Sequence, residues 1–133
     1  MSSLEFSKSE KKRFSLIARI KSANHAWRGV KIMFSAGHNV RLYMLFLIAV
    51  IYLGYALCIS SLEWVALVIV IGLVFVTEAI NTAIEIHMDL TSPEFHPHAR
   101  DTKDVSAGAS LLAVFTAVIV GLIIFLPKVI VLL

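Results

Sequence analysis

The feature that most constrains the fold of this chain is an uncharged, mostly apolar stretch at residues 42–62. About 20 residues of this kind, as a helix, cross the hydrocarbon core of a bilayer. A second uncharged stretch covers residues 105–127, and residues 64–77 between them are also strongly apolar. The sequence therefore predicts an all-α membrane protein, because a helix satisfies its own backbone hydrogen bonds in lipid.

Composition supports this class. Apolar residues make up 59% of the 133 residues, and the mean hydropathy is +0.86, which is too high for a small soluble domain. The length predicts a single domain over residues 1–133. Cys58 is the only cysteine, so a disulfide framework and a cysteine-based metal site are both excluded.

The helices can be placed from hydrophobic periodicity and helix breakers. Residues 10–36 are amphipathic and predict a helix in the membrane interface, anchored by Trp27. Three transmembrane helices are expected at residues 42–62, 64–90 and 102–127, the last one capped near its start by an acidic or hydroxyl side chain.

Basic residues predict how the chain is oriented. The loop at residues 60–63 has no Lys or Arg, whereas the loop at residues 91–104 has Arg100 and Lys103. By the positive-inside rule, the N-terminus and the second loop are cytoplasmic in a multi-pass protein. Nine basic residues precede residue 42, and this basic arm lies directly before an apolar span. An anionic membrane surface is therefore a simpler partner for the arm than nucleic acid. The cations of the arm are Lys8, Lys11, Lys12, Arg13, Arg19, Lys21, Arg28, Lys31 and Arg41.

A polar stripe begins inside the second predicted span. Glu78, Asn81, Glu85 and Asp89 fall within roughly 80° of arc on one helix face. An ionisable group in hydrocarbon costs a few kcal/mol, and such groups usually face other helices and carry function. The stripe therefore predicts chemistry at the membrane surface, with Glu78 turned away from lipid.

The stripe leaves several roles open. Glu78 is either a general base, favoured by partial desolvation, or a buried structural carboxylate. Asn81 is expected to hold Glu78, to orient a substrate hydroxyl, or to make a helix–helix hydrogen bond. Glu85, near water, suits Mg²⁺ with phosphate oxygens. Asp89 is either a further ligand or a helix-end residue.

A second charged cluster precedes the last span. Lys103 is placed to act as a point charge for a phosphate, although a charged helix start is also common. His96 and His98 are more typical of a solvated loop than of a metal pair. Phosphate-binding glycine loops and the zinc-protease and nucleophile-elbow motifs are absent from the sequence. The cluster consists of Arg100, Asp101, Lys103 and Asp104, followed by small residues.

Three motifs together identify a family resemblance. They read E-A-I-N-T-A-I-E-I-H-M-D at residues 78–89, S-P-E-F-H-P at 92–97 and A-R-D-T-K-D-V-S-A-G-A at 99–109. The chain closely resembles the bacterial membrane diacylglycerol kinase family, which includes undecaprenol kinases. The resemblance covers nearly the whole chain, including A-W-x-G at residues 26–29.

The resemblance implies a lipid kinase of the bacterial inner membrane that assembles as a homotrimer with sites between subunits. It implies ATP with Mg²⁺ at the cytoplasmic face and a lipid alcohol, diacylglycerol or undecaprenol, in the bilayer. Glu78 matches the general base, Asn81 its supporting residue and Glu85 a metal ligand. The residues that match nucleotide contacts are Glu85, Glu94, His96, Lys103 and Asp104.

One position departs from the family pattern. Family members usually carry E-x-N-x-R before the first span, and here Asn39 and Arg41 are present but position 37 is Gly. The missing Glu would be the second metal ligand. A non-catalytic member that acts in assembly or lipid binding is therefore the alternative function, and an ion or proton pathway along the stripe is a third.

Overall fold

A computed structural model of the chain describes residues 15–37 and 39–132. It consists of four helices, α1 (Leu16–Ala36), α2 (Val40–Ala56), α3 (Ser61–Thr91) and α4 (Pro97–Leu132). No strand occurs within these ranges. The predicted all-α class is confirmed for them, whereas residues 10–14 of the expected interfacial helix lie outside the described residues.

The helix α1 packs little of its surface against the rest of the chain. Ser15 caps it by accepting a hydrogen bond from the Ala18 N–H at 3.4 Å, and Met33 is its buried residue. Its apolar positions stay exposed, with Leu16 at 69% and Trp27 at 62%. Such a face is available to the lipid interface.

Two helices, α3 and α4, are long and apolar enough to cross a membrane by themselves. The helix α2 is very apolar but has 17 residues, or about 25 Å, which is a little short of a 30 Å hydrocarbon core. It would contribute to a third span only together with α1, from which it is bent by 99°. Three spans thus remain an expectation.

The helix α2 ends at Ala56, six residues before the expected end at residue 62. Cys58 adopts a left-handed φ of 47°. The N–H groups of Cys58 and Ile59 turn back to the carbonyls of Tyr55 (3.3 Å) and Gly54 (3.1 Å), which is the Schellman pattern. The sequence prediction missed this stop because glycine normally occupies the left-handed position.

The helices α3 and α4 form an antiparallel pair that holds most of the buried residues. A capping box starts α3, in which Ser60 and Glu63 bond each other's backbone N–H. The helix ends at Thr91, shortly before Pro93. One end of the pair has an apolar core of Ile59, Leu67 and Ile124, whereas the other end buries polar side chains.

The helix α4 begins at Pro97, not at residue 102, and continues past residue 127 to Leu132. Proline is favoured in the first turn because its missing N–H has no helical partner there and its φ already suits a helix. Pro127 lies inside the helix, where a membrane helix can tolerate the lost hydrogen bond. The expected bounds of the last span, residues 102–127, were therefore too narrow by five residues at each end.

Candidate active site

Most of the polar stripe of α3 faces the protein interior, whereas Asp89 at its end is exposed. Glu78 is 1% exposed, Asn81 5% and Thr82 4%, and Glu85 is half-buried one heptad further on. The prediction that Glu78 faces other helices and not lipid is therefore confirmed. Glu78 and Glu85 are separated by about 10 Å along the helix axis, with Glu85 nearer to the loop between α3 and α4.

The Glu78 carboxylate lacks the partners that a structural carboxylate would have. Its Oε2 atom is buried and accepts no hydrogen bond from any residue that the structure describes. Leaving a buried charge without a partner costs several kcal/mol. Packing and helix pairing alone do not account for this residue, which favours the functional interpretation of the stripe.

Asn81 connects two helices and a second carboxylate. Its Nδ2 donates to Oε1 of Glu85 at 3.0 Å, and its Oδ1 accepts a hydrogen bond from Oγ of Ser106 at 2.6 Å. The expected helix–helix hydrogen bond is therefore present. The carboxylate that Asn81 contacts in this structure is Glu85, whereas the sequence predicted Glu78.

The α1–α2 connection lies beside the same stripe. A Cβ added to Gly37 would lie 3.5 Å from Oγ1 of Thr82, a buried hydroxyl without a partner in the described ranges. The same Cβ would lie 2.6 Å from both the Met33 carbonyl and a Val40 methyl. Position 37 thus adjoins the site, but any side chain there requires the connection to move.

Charged residues at the start of α4 meet the end of α3. Lys103 Nζ contacts Asp89 Oδ1 at 2.6 Å, and Arg100 lies 3.6 Å from Asp104. A polar cleft of about 320 Å³ lies between these helix ends and the connecting loop. Four residues expected to contact nucleotide line it, namely Glu94, His96, Lys103 and Asp104.

The fifth expected nucleotide contact, Glu85, does not line this cleft. It is also the expected metal ligand. The described residues contain no cluster of three or more His, Cys, Asp or Glu side chains that could enclose a metal ion. A single carboxylate such as Glu85 suits Mg²⁺ that is also bound by phosphate oxygens and water. It does not suit a metal ion that is enclosed by protein ligands alone.

A larger, mainly apolar cleft of about 540 Å³ runs along the outside of the α3–α4 pair. Ser106 lines it and also bonds Asn81, so one wall of the cleft contacts the polar stripe through this side chain. No sequence pattern indicates this cleft, and Ser106 stands out in the sequence only as a small residue. The other lining residues are Thr77, Ile80, Ile84, His98, Asp101, Thr102, Val105 and Ala109.

Comparison with known proteins confirms the resemblance. The model of the prokaryotic diacylglycerol kinase family matches residues 24–125. The chain is 37% identical over 108 residues to undecaprenol kinase of Bacillus subtilis, covering 81% of this chain and 88% of that protein. It is 37% identical over 107 residues to a diacylglycerol kinase of Synechocystis, covering 80% of this chain and 61% of that protein. Diacylglycerol kinase of Escherichia coli K12 is 27% identical over 100 residues, covering 75% and 82%. No solved structure matches the chain.

Proposed function

The chain belongs to the prokaryotic diacylglycerol kinase family, and on this premise we propose that it is a lipid kinase that phosphorylates a membrane lipid alcohol from ATP. The single observation that carries the proposal is the buried Glu78 carboxylate, whose Oε2 lacks a partner in the described part of the chain. The lipid alcohol is diacylglycerol or undecaprenol, by analogy with the names of the relatives.

The reaction is a direct phosphoryl transfer. The lipid hydroxyl oxygen bonds to the γ-phosphorus as the bond from that phosphorus to the bridging oxygen of ADP breaks. Glu78 accepts the hydroxyl proton as general base, and the rest of the site mainly positions the two substrates. Glu85, together with phosphate oxygens, would hold Mg²⁺, which would neutralise negative charge on the phosphates when bound.

The charged cleft at the ends of α3 and α4 is the proposed nucleotide site. Lys103 can exchange its contact with Asp89 for a phosphate oxygen, because both are anionic acceptors for the same ammonium group. Glu94, His96 and Asp104 line the same cleft and are proposed nucleotide contacts. Asn81 supports the site through its hydrogen bond to Glu85.

The apolar cleft along α3 and α4 suits the lipid. It offers hydrocarbon walls, and it adjoins the polar stripe at Ser106. One substrate can therefore arrive from the bilayer and the other from water.

We also propose a homotrimer in the bacterial inner membrane with a cytoplasmic N-terminus. The basic arm is consistent with this orientation, and the exposed apolar sides of the helices are consistent with contacts to lipid or to other subunits.

The test is phosphate transfer by the purified protein from labelled ATP to a panel of lipid alcohols that includes diacylglycerol and undecaprenol. We expect labelled phospholipid with at least one of them, and transfer that is about 100-fold to 10,000-fold slower in Glu78→Gln although this variant assembles normally. Transfer by Glu78→Gln at close to the wild-type rate would contradict the assignment of the base. Failure of the wild-type protein with every lipid would contradict the kinase activity.

Gly37 supports a second candidate, a family member that lacks catalysis and acts in assembly or lipid binding. The test is the Mg²⁺ dependence of Gly37→Glu, compared with Gly37→Ala, which moves the connection without adding a carboxylate. A large gain in transfer specific to Gly37→Glu would favour a native site that lacks a ligand. Equal behaviour of the two variants, with an active wild type, would contradict this candidate.

A further inference from the structure

The Ser106 hydroxyl of α4 contacts the polar stripe of α3. It is 2.6 Å from Oδ1 of Asn81 and 2.9 Å from the carbonyl oxygen of Lys103. A hydroxyl has one hydrogen to donate, and the shorter contact is the one to Asn81. The Lys103 contact is the local bond that helical serines often make, whereas the Asn81 contact joins two helices.

This contact stabilises one orientation of the Asn81 amide. An ionised carboxylate only accepts hydrogen bonds, so the NH₂ group of Asn81 must face Glu85. The amide carbonyl then faces Ser106, whose hydroxyl supplies the donor it needs. If the amide were flipped, its carbonyl would face the Glu85 carboxylate, which is repulsive.

Burial strengthens the preference for this one orientation of the Asn81 amide. Ser106 is 7% exposed and Asn81 5%, so water competes poorly for either group. In such surroundings hydrogen bonds fix geometry more strongly than they do at a surface. The hydrogen bond from the Asn81 amide uses only one of the two carboxylate oxygens of Glu85, Oε1.

We propose that Ser106 is a positioning residue whose hydroxyl orients the Asn81 amide, which in turn holds the Glu85 carboxylate in the direction that binds a divalent cation. The proposal rests on the proposed role of Glu85 as metal ligand. Removing a group that orients a metal ligand typically weakens metal binding by roughly 10-fold to 100-fold. For Ser106→Ala we expect about tenfold.

A matched control lies one turn further along α4. Ser110 is also buried, at 4% exposed, but its Oγ has no hydrogen-bond partner in the described part of the chain. Ser110→Ala makes the same chemical change at a similarly buried position of α4 without breaking a side-chain hydrogen bond that the structure describes. It therefore separates loss of a hydroxyl from loss of the Asn81 contact.

The experiment measures Mn²⁺ binding by electron paramagnetic resonance in wild type, Ser106→Ala, Ser106→Thr and Ser110→Ala. The side-chain amide resonance of Asn81 is recorded by NMR on the metal-free proteins. We expect about tenfold weaker Mn²⁺ binding and a shifted Asn81 resonance in Ser106→Ala. Ser106→Thr keeps the hydroxyl and should stay close to wild type, as should Ser110→Ala.

The outcomes separate this proposal from the proposed function. If Ser106→Ala and Ser110→Ala have the same Mn²⁺ affinity and the same Asn81 resonance, the positioning role is overturned, whether or not the wild type is a kinase. If only Ser106→Ala loses affinity and shifts the resonance, the positioning role stands. Failure of the wild type to phosphorylate any lipid alcohol would then overturn only the kinase activity.

Discussion

The helix α3 carries one carboxylate at the apolar end of the α3–α4 pair, Glu63, and another near its middle, Glu78, and the two have opposite surroundings. Glu63 accepts the Ser60 N–H at 2.6 Å and the Lys128 ammonium at 3.1 Å. Glu78 is almost fully buried, and its Oε2 has no partner in the described ranges. This contrast is what we expect if Glu63 stabilises the fold and Glu78 has the proposed role in chemistry, because a functional carboxylate must stay available for a substrate.

The largest predicted effect contrasts these two carboxylates directly. Glu78→Gln should lower phosphate transfer by about 100-fold to 10,000-fold, the usual contribution of a general base, with no loss of thermal stability. Glu63→Gln should leave transfer unchanged and lower the midpoint of thermal unfolding, because it weakens the capping box and the Lys128 contact. A loss of both activity and stability in both variants would contradict the separate roles of Glu63 and Glu78.

A smaller effect is expected for the lysines at the two ends. Lys103→Met should raise the KM for ATP by roughly tenfold, because a charge-assisted contact to phosphate is lost. Lys128→Met removes a contact to Glu63 at the other end and should leave that KM unchanged. Steady-state kinetics at saturating lipid measure both, and equal KM values for the two variants would argue against the nucleotide cleft.

Packing at the apolar end gives the next effect. A Cβ on Gly54 would lie 2.6 Å from the ring of Trp64, so Gly54→Ala should lower the free energy of unfolding by about 2 kcal/mol. Gly72 lies in α3 with nothing within 4 Å of its Cβ position, and Gly72→Ala should stabilise by about 0.5 kcal/mol. Unfolding in mixed detergent and denaturant measures both, and the same sign for the two would contradict the proposed packing.

The smallest effect concerns the turn after α2. Cys58 holds a φ of 47°, which is unfavourable for a residue with a Cβ. Cys58→Gly should raise the free energy of unfolding by about 0.5 kcal/mol, since relief of this strain exceeds the extra freedom of glycine in the unfolded chain. Cys58→Ala keeps the Cβ and should show no such gain in the same measurement.

The sequence anticipated the parts of the fold that follow from periodicity and charge. It predicted the helical class, the stop before Pro93, and the orientation of Glu78 away from lipid. It did not predict the turn at Cys58, because the residue type disfavours the conformation it adopts. It also placed the start of α4 too late, because Pro97 serves as a first-turn residue rather than a breaker.

The candidate site also has features that follow from the sequence and features that do not. Its residue types and their shared face on α3 follow from a period of 3.6 residues per turn. The partner of Asn81 does not, because Glu78, Glu85 and a hydroxyl on another helix are all within reach of an amide side chain. The role of Ser106 depends on the register between α3 and α4, which no local pattern in either helix specifies.

The sequence by itself determined that this chain is helical, suited to a membrane and a member of a lipid kinase family, because hydropathy, spacing and motif are properties of consecutive residues. Only the tertiary structure decided which carboxylate is buried with an oxygen that has no partner among the described residues, which one Asn81 holds, and which serine of α4 reaches that asparagine. These depend on how two long helices align side by side, and residues 25 positions apart meet only when that alignment forms.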